Sequence, residues 1–216
     1  MTLIGDLRPA PDRKLPIALV AAVAIFSSPA WGDRLMPAAE MVEGYETGVT
    51  RVLKPAFTSD LDSLAIIEPS FQPEFAVGLR ATDGRYRVFT VVAKEAAWPR
   101  LLEHKSLDNI GADSSEVEIP APLGVRIAHV WDAMLRDIGP DSSPLPVDGS
   151  DYYFSKVLDG KLRVGMAWDR REDTKVGRLE VIALAMRDLC AAKGTVENLD
   201  REVAELERLL AVEKSP

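Results

Sequence analysis

The chain has 216 residues and carries 26 Lys and Arg against 34 Asp and Glu, a formal charge of −8; 47% of it is hydrophobic and 28% charged. Such a composition can bury enough apolar surface to offset chain ordering, which excludes global disorder, and a single long apolar run excludes a multi-span membrane protein. One Cys excludes an intramolecular disulfide framework, and the acidic balance runs against nucleic-acid binding, which needs a basic stripe.

Residues 1–32 read as a signal peptide. Arg13 and Lys14 precede twelve apolar residues at 15–26 (LPIALVAAVAIF), and the small residues and Pro of 27–32 (SSPAWG) follow. As a helix this run measures about 18 Å, short of the roughly 30 Å hydrocarbon core, which suits a signal h-region better than a membrane anchor. Ala30 and Gly32 hold the small-residue positions of a cleavage site, placing the cut between Gly32 and Asp33. An uncleaved anchor is the competing reading. Lipidation would need a Cys at the cut, and the sole Cys is Cys190. The expectation is a periplasmic mature chain that leaves no segment in the membrane. The removed part holds Arg8, Arg13 and Lys14 against Asp6 and Asp12, so the remainder would stand at −9.

Ala38, Val42, Tyr45, Val49 and Val52 recur at helical spacing and predict an amphipathic helix over 38–53. Gly44 and Gly48 weaken it, and Lys54-Pro55 should end it. A short strand is expected at 64–67. Two hairpins follow, the first pairing 75–80 with 85–92 and the second pairing 151–158 with 161–168. Asp83-Gly84 and Asp159-Gly160 supply the positive φ that such tight turns need. Tyr86, Val88, Thr90 and Val92 share one face and are candidates for the core. In the second hairpin Leu162, Val164, Met166 and Trp168 alternate with Lys161, Arg163 and Gly165. That is the pattern of a half-buried antiparallel strand, with the Leu162 set on the covered side.

Between the hairpins another short strand is expected at 116–119. Ile127, Val130, Trp131, Met134 and Ile138 then form the stripe of a helix over 125–138, with Pro122 ahead of it and Gly139-Pro140 stopping it. Residues 141–149 are turn-rich. Leu179, Ile182, Met186 and Leu189 define a helix over 175–193, and Gly194 is placed to cap it. Val196, Leu199, Val203, Leu206 and Leu210 mark a further helix within 195–216. The order predicts an α+β fold: a mainly antiparallel sheet built from two Asp-Gly hairpins, amphipathic helices packed on it, and a C-terminal helical pair. The expected division is one domain over 33–194, with the helix of 195–216 packed against it.

Chemistry is harder to find. His104, His129 and Cys190 lack metal-ligand spacing, and no glycine-rich phosphate loop or nucleophile elbow is present, so no metal or cofactor is expected. His129 with Asp132 on one helix face could act as an acid/base pair, although a solvated face explains it as well. Cys190 beside Leu189 reads as a small buried hydrophobe. Glu68 and Glu74 bracket Pro69 and Pro73, and Asp148 and Asp151 bracket Gly149; either pair could serve as general acid and base in a hydrolase or hold Ca²⁺. The stronger signal is polar-aromatic. Phe71, Glu74, Trp98, Asp148, Tyr152 and Tyr153 lie at element ends and loops, where aromatic groups can form a recognition surface.

Pro69-Ser70-Phe71-x-Pro73-Glu74, Gly84-x-Tyr86, Trp98, Trp131-x-x-Met134-Leu135, Asp148-Gly149, Tyr153-Phe154, Gly165 and Trp168 resemble a group of uncharacterised exported proteobacterial proteins. The resemblance spans about residues 64–190 and implies an exported domain of shared architecture, with no activity attached. The resulting expectation is a non-enzymatic binding or inhibitory module of the immunity type, meeting a protein partner in the cell envelope. An acidic surface would favour a basic partner. Two alternatives stand beside it: a cell-envelope hydrolase using Glu74 and Asp148, and an assembly factor or homodimer using the stripe Val196, Leu199, Val203, Leu206 and Leu210.

Overall fold

A computed structural model describes residues 34–38, 45–139, 149–168 and 173–212. The signal segment with Gly32 and Asp33, the first part of the predicted 38–53 helix, and Asp148 lie outside the described residues. In chain order the elements are β1 (Met36–Pro37), α1 (Tyr45–Val52), a 3-10 turn (Lys54–Ala56), β2 (Leu61–Pro69), β3 (Phe75–Thr82), β4 (Arg85–Ala93), α2 (Ala97–Leu102), β5 (Ala112–Ile119), α3 (Ala121–Arg136), β6 (Ser150–Leu158), β7 (Lys161–Trp168), α4 (Lys175–Cys190) and α5 (Val196–Val212). The strands make one sheet in the order β1-β7-β6-β2-β3-β4-β5, antiparallel at every pairing. The fold is α+β with a C-terminal helical pair, as the element order predicted.

Strand alternation sends odd and even residues to opposite faces. On one face Phe75, Val77, Leu79, Val88 and Phe154 meet the apolar stripes of α3 and α4, including Ile127, Trp131, Leu179 and Ile182. Trp131 stands edge-on to Phe154, with ring centroids 5.7 Å apart. Gly124 lets α3 come close: a Cβ there would fall 2.2 Å from Cγ of Tyr86. The other face holds a second core in which Leu64, Ala76, Phe89 and Val91 pack under Val49, Leu53, Ala56, Leu107 and Ile110. Gly48 is what admits Leu107, whose Cδ1 would lie 2.3 Å from an added Cβ. β4 is therefore buried on both faces, through Val88 on one and Phe89 on the other.

Several expectations change. The strand expected at 64–67 runs over Leu61–Pro69, and the one expected at 116–119 begins at Ala112. The polar Asp113-Ser114-Ser115 run concealed that second start, because an exposed strand shows little apolar alternation. α3 starts at Ala121, four residues before the expected 125, since Pro122 belongs in a first turn where its missing N–H costs nothing. The Leu162 set faces away from α3: Gly165 and Ala167 are the buried residues on the helix side, and Leu162 is 67% exposed. A Cβ on Gly165 would meet Cβ of Leu35 at 2.8 Å, so this position is small because the segment before β1 lies over it.

α5 packs across α3 and α4. Leu199, Val203 and Leu206 are wholly buried, and Arg126 of α3 forks onto Glu207 at 2.7–3.1 Å while also meeting Asp200. Arg178 of α4 reaches Glu202 at 3.0 Å. The central stripe on which the assembly reading rested is thus covered by the chain's own helices.

Candidate functional site

Three stretches singled out in the sequence meet at one end of the sheet. β2 ends there at Pro69, β3 begins at Phe75, β4 ends at Ala93 and β6 begins at Ser150. The Ser70 hydroxyl donates to the Gly149 carbonyl at 2.6 Å, and the Ser70 N–H donates to the same oxygen at 3.2 Å. At the other shoulder the Ala97 N–H donates to both carboxylate oxygens of Glu74, at 2.9 and 3.0 Å. The Pro69–Pro73 loop is therefore pinned on one side to the start of β6 and on the other to the start of α2. Its two prolines restrict the backbone further.

Phe71 stands on that pinned loop, 83% exposed, and Trp98 on α2 is 42% exposed; Leu102 is exposed farther along the same short helix. Not every candidate belongs to this surface. Glu74 is 1% exposed, an anchor for α2 rather than a contact residue. Tyr152 is 5% exposed because its position on β6 turns it to the helix face, where its ring stacks on Phe154 at 6.2 Å. Tyr153, one residue on, faces the opposite side and is half-buried. The stretches named from the sequence share one end of the sheet, and strand parity removes Tyr152 from its surface.

The groups offered for chemistry are held elsewhere. Asp132 meets Lys156 at 2.8 Å, and that lysine also meets Asp62 at 2.9 Å and donates to the Ala128 carbonyl at 3.3 Å, so His129 stands exposed while Asp132 serves another partner. The Cys190 Sγ donates weakly to the Val88 carbonyl at 3.5 Å, and burial pushes its thiol up to about 11. A thiol so protonated is a poor nucleophile at neutral pH. The carboxylates the sheet brings face to face are Glu68 and Asp151, directly opposite across β2 and β6, rather than Glu74 with a loop residue. Among the described residues no group of three His, Cys, Asp or Glu is arranged to hold a metal ion.

One cluster was overlooked. Arg80 bridges to Glu116 at 2.8 Å; Arg87 bridges to Glu116 at 2.9 Å and to Asp60 at 3.3 Å. The Arg80 guanidinium lies 4.3 Å over the Phe89 ring. Beside this network is a cavity of about 340 Å³, lined by Thr58, Arg80, Phe89, Ser114 and Glu116 among others. A signal for it existed. The Asp83-Gly84 turn sets Arg80 directly across from Arg87, and like charges so placed call for carboxylates on the adjoining strands. No protein-family model, no curated protein and no solved structure matches the chain.

Proposed function

We propose that this protein is a non-catalytic binding module of the cell envelope that engages a protein partner through the aromatic end of its sheet; an immunity-type inhibitor is one concrete form. The observation that carries this is Phe71, 83% exposed on a loop whose two shoulders are hydrogen-bonded to different elements. A large apolar ring held out in water by a fixed backbone loses little entropy on binding, the condition under which an aromatic residue becomes an anchor. Support also comes from the commitments of Glu74, Asp132 and Cys190, which hold structure in place. Export rests on the apolar run and small-residue site of residues 15–32. Among the described residues no helix is long and apolar enough to cross a membrane.

The test is capture from an envelope extract on immobilised protein, comparing wild type with Phe71→Ala and Trp98→Ala. One stoichiometric partner is expected, with retention reduced at least tenfold by Phe71→Ala, equivalent to about 1.4 kcal/mol. Retention unchanged in both variants sinks the assignment of this end. Amino-terminal sequencing of the mature protein should begin at Asp33, and an intact Met1 would refute cleavage.

A further inference from the structure

The two edges of the sheet are treated differently. At one, β1 covers Gly165 and Met166 of β7, and Pro37 presents no N–H there. At the other, β5 runs for eight residues with Asp113, Ser114, Ser115, Glu116 and Glu118 all exposed. The direction of its backbone groups follows from β4. The Lys94 N–H donates to the Gly111 carbonyl and the Ala93 N–H to the Glu74 carbonyl, each at 2.9 Å, so alternate residues of β4 face β5 and β3. Since Val92 lies opposite Asp113 and Thr90 opposite Ser115, the residues Asp113, Ser115 and Val117 bond to β4. Ser114, Glu116 and Glu118 turn their N–H and C=O groups outward, a ready template for another strand.

We propose that β5 is a strand-addition site for an extended, basic segment of a partner protein. Main-chain pairing would supply the attraction and side-chain contacts the selectivity. Residues 112–119 contain three carboxylates and no cation. Glu116 is met by Arg80 and Arg87, and Asp113 by the exposed Lys94 at 3.1 Å, a pairing that solvent makes weak. No ion pair meets Glu118 among the described residues. The cavity beside Ser114 and Glu116 opens on the face to which the outward-pairing residues send their side chains. A long side chain on a strand about 4.8 Å away can reach across β5 into it. A second copy of this chain is the poorer occupant, because it would bring three further carboxylates and a charge of −8 to the same edge. This surface is separate from Phe71; it deepens the binding-module reading and rests on it for the nature of the partner.

The test uses the full chain and a labelled peptide, Lys-Val-Lys-Thr-Lys-Val-Lys-Thr, followed by fluorescence anisotropy. Saturable binding is expected, at least tenfold weaker when Glu replaces Lys and lost when alternate peptide nitrogens are methylated. Ser114→Pro removes an outward N–H without touching the β4 ladder; it should lower affinity at least tenfold and leave the urea midpoint in place. Glu118→Lys, a surface change independent of proline geometry, should weaken the Lys peptide and strengthen the Glu peptide. Phe71→Ala should leave peptide binding unchanged, separating this surface from the aromatic end. Equal binding of the methylated peptide, or wild-type affinity in both Ser114→Pro and Glu118→Lys, overturns the proposal. So does a sedimentation mass of two chains that Ser114→Pro returns to one.

Discussion

Three residues out from its Asp-Gly turn, the β3–β4 hairpin sets Arg80 opposite Arg87, and at the same distance the β6–β7 hairpin sets Lys156 opposite Arg163. Five residues out, the first pairs Gly78 with Phe89 and the second Phe154 with Gly165, an aromatic against a glycine each time. Both turns hold φ near +50° at Asp and above +70° at Gly. Yet the hairpins face opposite ways. Arg80 and Phe89 lie on the face under α1, whereas Lys156 and Phe154 lie on the face under α3. A turn sets register within its own hairpin; pairing with β2 sets which face is up, and one residue of slip inverts it. Because Val77 and Phe154 both lie across from Ala65 of β2, positions six and five residues before their turns are brought to the same face.

The largest expected contrast lies at the two strand glycines. A Cβ on Gly78 would sit 2.2 Å from the Ser63 backbone oxygen and 3.0 Å from the Phe89 ring, and a central strand cannot move aside. Gly78→Ala should cost about 3 kcal/mol, near the upper end of ordinary overpacking. At Gly165 the nearest obstacle is the Leu35 side chain, on a segment joined to the sheet by only two paired residues. Gly165→Ala should cost about 1 kcal/mol, absorbed by displacement of β1. Urea unfolding of both variants measures the difference, and equal losses would mean that the peripheral hairpin is held as rigidly as the central one.

A smaller contrast separates two valines four residues beyond the turn glycines Gly84 and Gly160. Val88 faces α4 and is wholly buried; Val164 takes the equivalent place on the opposite face and is half-buried. Val88→Ala should cost about 2 kcal/mol and Val164→Ala under about 1 kcal/mol. If the Val164 variant lost as much, β7 would be turned with its Leu162 face under cover.

That inversion marks how far the sequence could be read. Local signals were sufficient for the hairpins, since Asp-Gly between alternating runs specifies a turn chemically, and for α4 and α5, whose stripes run three turns or more. The facing of β7 was not legible. Its alternation separates Leu162, Val164 and Met166 from Gly165 and Ala167, but a layer crowded by Trp131, Phe154 and Leu35 selects the small side. The Phe71 loop could be found because its prolines and aromatic are local. Glu74 as the anchor of α2 could not, since it takes an N–H contributed from across β4. β5 was half missed for a related reason: an exposed edge has no apolar rhythm to betray it.

The smallest effect concerns how each hairpin neutralises its opposed cations. At Arg80 and Arg87 the network includes the half-buried Asp60, whose carboxyl is held below its ordinary range by a hydrogen bond from the Thr58 hydroxyl, with Arg80 and Arg87 adding to it. A depressed carboxyl stabilises the fold at every pH above the unfolded value of about 3.9. That contribution disappears as pH falls through the folded value, because the unfolded chain takes up its proton first. Asp60→Asn should therefore be less stable than wild type at pH 7, by no more than about 1 kcal/mol given the solvent around the cluster, and should converge with it as pH falls through the folded value. Urea midpoints taken across this range give the curve. A gap that persists undiminished at low pH would assign the loss to the Asp60 hydrogen bonds with Thr58 and Thr82 rather than to its charge. The first hairpin would then be held at this corner by neutral hydrogen bonds, unlike the second, where Lys156 sits between the carboxylates of Asp62 and Asp132.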